Sequence, residues 1–220
     1  MTLEVELQAA HAAASTLTGG DESVAAVMAA EPGRGHRVYV VALEREGELS
    51  YLALDASLQP LHDRRLVREA VTMLGLAERA EEASTAIVGD ELDAAFADAE
   101  EALRVAGQDA AAASAAAVRV ALAALSDVVA GPRLATPLFL DRVGAAAAEL
   151  GRGLDDFRRH LERLSDGAHA ASPEIEAGWR ALALATGAGD PSDFSRAMTA
   201  TTGAVEALAD DVLARLRSYD

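Results

Sequence analysis

The chain has 220 residues, no cysteine, 4% aromatic residues and a formal net charge of −17, set by 36 acidic residues against 19 basic ones, every one of them arginine. Without lysine there is no Walker-type phosphate lysine, Schiff-base lysine or lysine general base; without cysteine there is no disulfide framework, thiolate nucleophile or cysteine metal site. The acidity also argues against nucleic acid or a negatively charged membrane as partner, because each requires a basic footprint.

Residues 3–18 place Leu3, Leu7, Ala10, Ala14 and Leu17 at helical spacing, and Gly19-Gly20 ends the pattern. Three short runs with strand chemistry follow: 24–30, 37–43 and 49–54. Pro32-Gly33-Arg34-Gly35 separates the first two, and Gly47 lies between the second and third, where a hairpin turn fits. The run 24–30 is readable as strand or as a helical turn. Val38 to Leu43 is apolar on both alternating faces, which predicts a central strand covered from both sides. Tyr39 and Tyr51 are expected to face each other across the second hairpin.

From Asp63, a candidate N-cap, Leu66, Val67, Ala70, Val71, Leu74 and Ala77 form the inward stripe of a helix reaching about Ser84. The stretch 84–89 reads equally as a kink or a turn. Leu92, Phe96, Ala99, Leu103 and Ala106 mark the next stripe, closed by Gly107. Residues 109–130 continue with Ala111, Ala115, Val118, Leu122, Leu125 and Val129. Thr136-Pro137 is an N-cap followed by proline at the first helical position, and it launches the longest stripe: Val143, Ala147, Leu150, Leu154, Phe157, Leu161 and Leu164. Ser172-Pro173 repeats the start signal, with Ile175, Trp179 and Leu182 inward. Ser192 is expected to cap a last helix with the stripe Phe194, Met198, Thr201, Val205, Leu208, Val212 and Leu216.

These elements predict a mainly α, α+β protein: a bundle of five to six helices with a small N-terminal antiparallel β-meander of two to three strands. Residues 1–60 would hold the first helix and the sheet, and residues 61–220 the bundle packed against them. In element order alone, an acidic chain opening α-β-β-β-α resembles the first half of secretion-chaperone folds. The opening Met-Thr-Leu-Glu-Val-Glu-Leu lacks a basic region before an apolar run, and Arg119 and Asp127 interrupt the apolar stretch 110–130, so the expected location is the cytoplasm.

Chemistry-bearing motifs are sparse. His11, His36, His62, His160 and His169 have no histidine partner three or four residues away, and no Glu-x-x-His or Gly-x-Ser-x-Gly occurs. Gly33-x-Gly35, Gly151-x-Gly153 and Gly187-x-Gly189 all lack the strand-turn-helix setting of a dinucleotide loop. No catalytic residue, metal ligand or cofactor is therefore expected. Two weak candidate sites remain. His62, Arg64, Arg65 and Arg68 open a helix, where an anion would meet guanidinium forks and free backbone N–H groups. The stripe Val143, Leu150, Leu154, Phe157 and Leu161 would serve as an apolar interaction face. The favoured expectation is a non-enzymatic interaction or scaffold protein that self-associates as a homo-oligomer or holds a protein partner; the alternative is a binder of an anionic small molecule, or an enzyme, with its pocket between sheet and bundle.

Overall fold

Six consecutive residues, Val38 to Leu43, are all buried, so the strand that carries them needs cover on both faces. The computed structural model describes residues 2–33, 35–87, 89–130, 134–167, 172–187 and 202–217. In chain order the elements are α1 (Leu3–Leu17), β1 (Ser23–Ala30), β2 (Val38–Arg45), β3 (Glu48–Leu54), α2 (Arg64–Ile87), α3 (Asp90–Val105), α4 (Asp109–Val129), β4 (Leu134–Ala135), α5 (Pro137–Gly167), α6 (Pro173–Gly187) and α7 (Thr202–Arg215). The protein is mainly α with α+β character, as the periodicity predicts. The ambiguous run 24–30 is a strand, and around the stretch 84–89 there are two helices, α2 ending at Ile87 and α3 starting at Asp90.

The chain divides into two units: residues 1–79, 132–140 and 200–220, and residues 80–131 and 141–199. The stretch 61–220 contributes to both: residues 61–79, 132–140 and 200–220 fall in the first unit with the sheet. The sheet requires two covers, and the second is drawn from α2 and α7, so those helices belong with it.

In the first unit the sheet order is β3-β2-β1-β4, with antiparallel pairing except between β1 and β4, which run parallel. The predicted antiparallel meander is thus a mixed sheet. Its extra strand is only two residues long, Ala29 pairing with Leu134 and Ala30 with Ala135. Glu46 and Gly47 form the β2–β3 turn with φ of 53° and 83°, the doubly left-handed geometry of a two-residue hairpin loop, which glycine adopts without steric cost. This turn pairs Tyr39 with Leu54 and Tyr51 with Ala42, so the expected tyrosine pair does not form. The two rings join different cores. Tyr39, Val41, Leu43, Leu52 and Leu54 pack with Ala10 and Ala14 of α1 on one face. Val38, Val40 and Ala53 pack with Val67, Ala70 and Val71 of α2 and Ala209, Val212 and Leu213 of α7 on the other, with Tyr51 at that core's margin.

The last helix corrects one inward assignment. Leu208 is 47% exposed, while Ala209 and Leu213 are buried in its place. Its expected start at Ser192 and the stripe residues Phe194, Met198 and Thr201 lie outside the described residues. Close approach of α2 and α7 depends on Gly75, where a Cβ would fall 2.9 Å from Val205 Cγ1. The segment after α7 is tied to the sheet: Arg217 N–H donates to the Tyr51 carbonyl at 3.2 Å, and its guanidinium pairs with Glu22, whose side chain is only 3% exposed.

In the second unit α3 packs against α4 and α6. Gly107 has φ of 73° and ends α3, with Gln108 N–H donating to Leu103 O at 2.8 Å and Gly107 N–H to Arg104 O at 3.1 Å. Thr136 Oγ1 accepts from Phe139 N–H at 3.0 Å, the predicted cap of α5. Phe96 of α3 and Phe157 of α5 meet with ring centroids 5.4 Å apart, tilted by 58°, and both are fully buried. Trp179 is only partly buried; its Nε1–H donates to Ser165 Oγ at 3.1 Å.

Glycines in α5 and α6 separate packing from mere tolerance. A Cβ on Gly178 would sit 2.6 Å from Cδ2 and 2.9 Å from Cδ1 of Leu161, itself fully buried; a Cβ on Gly144 would meet nothing within 4 Å. Gly178→Ala is expected to destabilise the protein by about 1–3 kcal/mol through overpacking. Gly144→Ala should instead stabilise it by up to about 1 kcal/mol, the helix-propensity difference. Urea unfolding of both variants checks the opposite signs.

Candidate functional site

The arginine group at the start of α2 is built around Asp63. Its Oδ1 accepts from the N–H of Arg65 at 3.0 Å and of Leu66 at 3.2 Å, which fills the helix N-terminus with the protein's own carboxylate. Arg65 Nε pairs with Glu69 Oε1 at 3.0 Å, and Arg68 pairs with Asp210 of α7. His62, Arg64, Arg65 and Arg68 are all exposed. The sequence brings these groups together, but two of the three guanidinium forks already hold carboxylates. An anion would have to compete with them.

The α5 stripe is placed differently from its expected role. Val143, Leu150, Phe157 and Leu161 are fully buried and Leu154 is partly buried, so the stripe is consumed by the protein's own packing and offers no free apolar face. An amphipathic pattern records that a face must be covered, and it does not record by what. The arginines on the outer side reach back one turn, Arg158 to Asp155 at 3.3 Å and Arg159 to Asp156 at 3.0 Å.

Two larger charge clusters are cross-braces. In the sheet unit Arg37 binds Glu31 Oε2 through Nη2 at 2.9 Å and also pairs with Glu6 of α1, whose Oε2 accepts the Tyr39 hydroxyl at 3.0 Å. The hydrogen bond from Arg37 holds the Glu31 carboxyl below its ordinary range. Burial opposes the charge on Arg37, but Glu31 and Glu6 outweigh it and raise its pKa; burial and the Glu6 hydrogen bond likewise push the Tyr39 phenol up. In the helical unit Arg119 of α4 bridges two residues of α3, Asp93 at 3.0 Å and Glu100 at 3.0 Å, and those hydrogen bonds raise its pKa. Each cluster pins one element to another. Among the described residues no group of three or more histidine, aspartate or glutamate side chains is arranged to hold a metal ion.

What sequence reading missed is the outer side of α4. The buried sector of this helix carries Ala111, Ala112, Ala115, Val118, Ala121, Leu122 and Leu125. The opposite sector carries Ala110, Ala113, Ala117, Ala123 and Ala124, all exposed, around Val120, which is 71% exposed. The charged residues of α4 are Asp109 and Asp127 at its two ends and Arg119, which is occupied by α3. A helix in contact with water ordinarily has a charged side; this one is apolar nearly all round. It is also the one helix among the described residues long and apolar enough to cross a membrane, by length and composition. The absence of charged residues between Asp109 and Asp127 other than Arg119 was the available signal, hidden because the same alanines also supply the inward stripe.

No family model matches the chain, and neither a curated protein nor a solved structure matches it.

Phe157→Ala should cost about 3–5 kcal/mol in a urea melt, because the ring is core; a loss below about 1 kcal/mol would mean that it is not. For Glu31 the depressed folded-state pKa means that its stabilisation is present above the ordinary carboxyl value of 4.5 and is lost as the pH falls through the lower folded value. Glu31→Gln is therefore expected to lose about 1 kcal/mol at pH 7 and to converge with the unaltered protein below pH 4.5, checked by melts across that range.

Proposed function

We propose that this protein is a non-enzymatic interaction protein and that it presents the outer side of α4 to a protein partner. The supporting observation is the uncharged, exposed sector from Ala110 to Ala124 centred on Val120. Exposed apolar area that lies along one element, unlike single scattered residues, is a mark of interaction surfaces. The partner in this reading is a different protein, because a net charge of −17 favours an occupant of opposite charge over a second copy.

The experiment places a photo-crosslinking amino acid at Val120 and, as control, at Leu208, another exposed apolar position. A discrete adduct is expected at Val120 alone, identified by mass spectrometry and competed by unlabelled protein. A strictly monomeric protein that gives no adduct at Val120, or the same adducts at both positions, would overturn the reading.

A further inference from the structure

We infer that the element received on this surface is a cationic amphipathic α-helix of the partner, laid along the groove between α3 and α4; the inference rests on the interaction reading above and specifies its partner. The groove is lined by Ala116, Val120, Leu122, Ala123 and Ser126 of α4 and by Gly89, with Arg119 crossing it to Asp93 and Glu100 on the α3 side. Alanine and glycine walls allow another helix axis to approach to about 8 Å, the short end of helix packing distances. The 21 residues of α4 extend over about 30 Å, enough to contact five turns of a second helix. An extended peptide is less suited, since this groove is made of helices and has no strand edge to add to.

Charge selects the sign of the occupant. Together α3 and α4 carry eight carboxylates, at positions 90, 91, 93, 98, 100, 101, 109 and 127, against Arg104 and Arg119. Arg104 is paired with Glu101, and Arg119 is held by Asp93 and Glu100. An apolar strip inside an acidic surround is complementary to a helix with one aliphatic ridge flanked by lysine or arginine, which would set hydrocarbon on Val120 and its alanines and cations towards the rims. A second copy would bring like charge to both ends, Asp109 against Asp127 if antiparallel and Asp109 against Asp109 if parallel. An anionic lipid surface meets the same repulsion.

The test uses fluorescein-labelled synthetic helices of about five turns: a leucine/lysine amphipath, a leucine/glutamate amphipath, and a scrambled leucine/lysine peptide of identical composition. Anisotropy is measured against the full chain, Val120→Arg and Leu208→Arg, with circular dichroism confirming that each variant folds. The leucine/lysine amphipath should bind with micromolar Kd, weakening at least about 10-fold, about 1.4 kcal/mol, on scrambling and on Val120→Arg but less than about twofold on Leu208→Arg. Equal losses in the two arginine variants, or equal binding of the scrambled peptide, would reduce the effect to bulk charge and overturn the proposal. So would tighter binding of the leucine/glutamate helix, a dimer in light scattering that Val120→Arg dissolves, or binding to phosphatidylserine vesicles that Val120→Arg abolishes. A specific Val120 crosslink with no helix binding would sink the partner assignment alone; absence of both would sink the interaction reading with it.

Discussion

A sheet strand apolar on both sides demands two covers, and that demand organises the first unit. Because Val38, Val40 and Ala53 face one way and Tyr39, Val41 and Leu52 the other, α1 alone cannot keep the sheet dry. At roughly 25 cal/mol per Å² of apolar area removed from water, each leucine or valine left uncovered would forfeit about 1.5–3 kcal/mol. The second cover comes from α2 and α7, which lie far apart in sequence and meet at the Gly75–Val205 approach. The short β4 lengthens the same layer and takes Ala135 into the same core.

Arginine alone supplies cations in this chain, and its planar fork suits the work of joining elements. Arg37 ties the β1–β2 connection to α1, Arg68 joins α2 to α7, Arg119 joins α4 to α3, and Arg217 draws the segment after α7 onto buried Glu22. Exposed pairs such as Arg152 with Glu149 contribute little each. The half-buried Arg37 cluster matters more, because two carboxylates and a phenol converge on one guanidinium with part of their hydration removed. The interaction proposal fits this distribution: charge concentrates where elements are cross-linked and is nearly missing from the outer side of α4.

Much of the architecture is legible from the amino acids. The apolar run Val38–Leu43 announces a covered central strand, Thr136-Pro137 announces the start of α5, and Gly107 announces the end of α3, because each rests on local backbone or burial rules. Leu208 escapes the pattern because alanine blurs the contrast between the two sides of a helix: with Ala209 inward, the larger residue does not mark the core. A two-residue β4 carries no period to detect. The α5 stripe needs cover, and its pattern does not say that the protein itself provides it. The α4 surface escaped notice for the converse reason, since alanine on a wet side and alanine on a dry side are the same letter.

The chain passes from one unit to the other four times, since residues 80–131 and 141–199 alternate with segments of the first unit. During synthesis on the ribosome, therefore, β1, β2 and β3 would emerge early and have only α2 on one side until α7 is translated, more than 140 residues after β3 ends. In that interval Val38, Val40 and Ala53 would lack the half of their cover that Ala209, Val212 and Leu213 supply, so the final helix completes a layer begun far upstream.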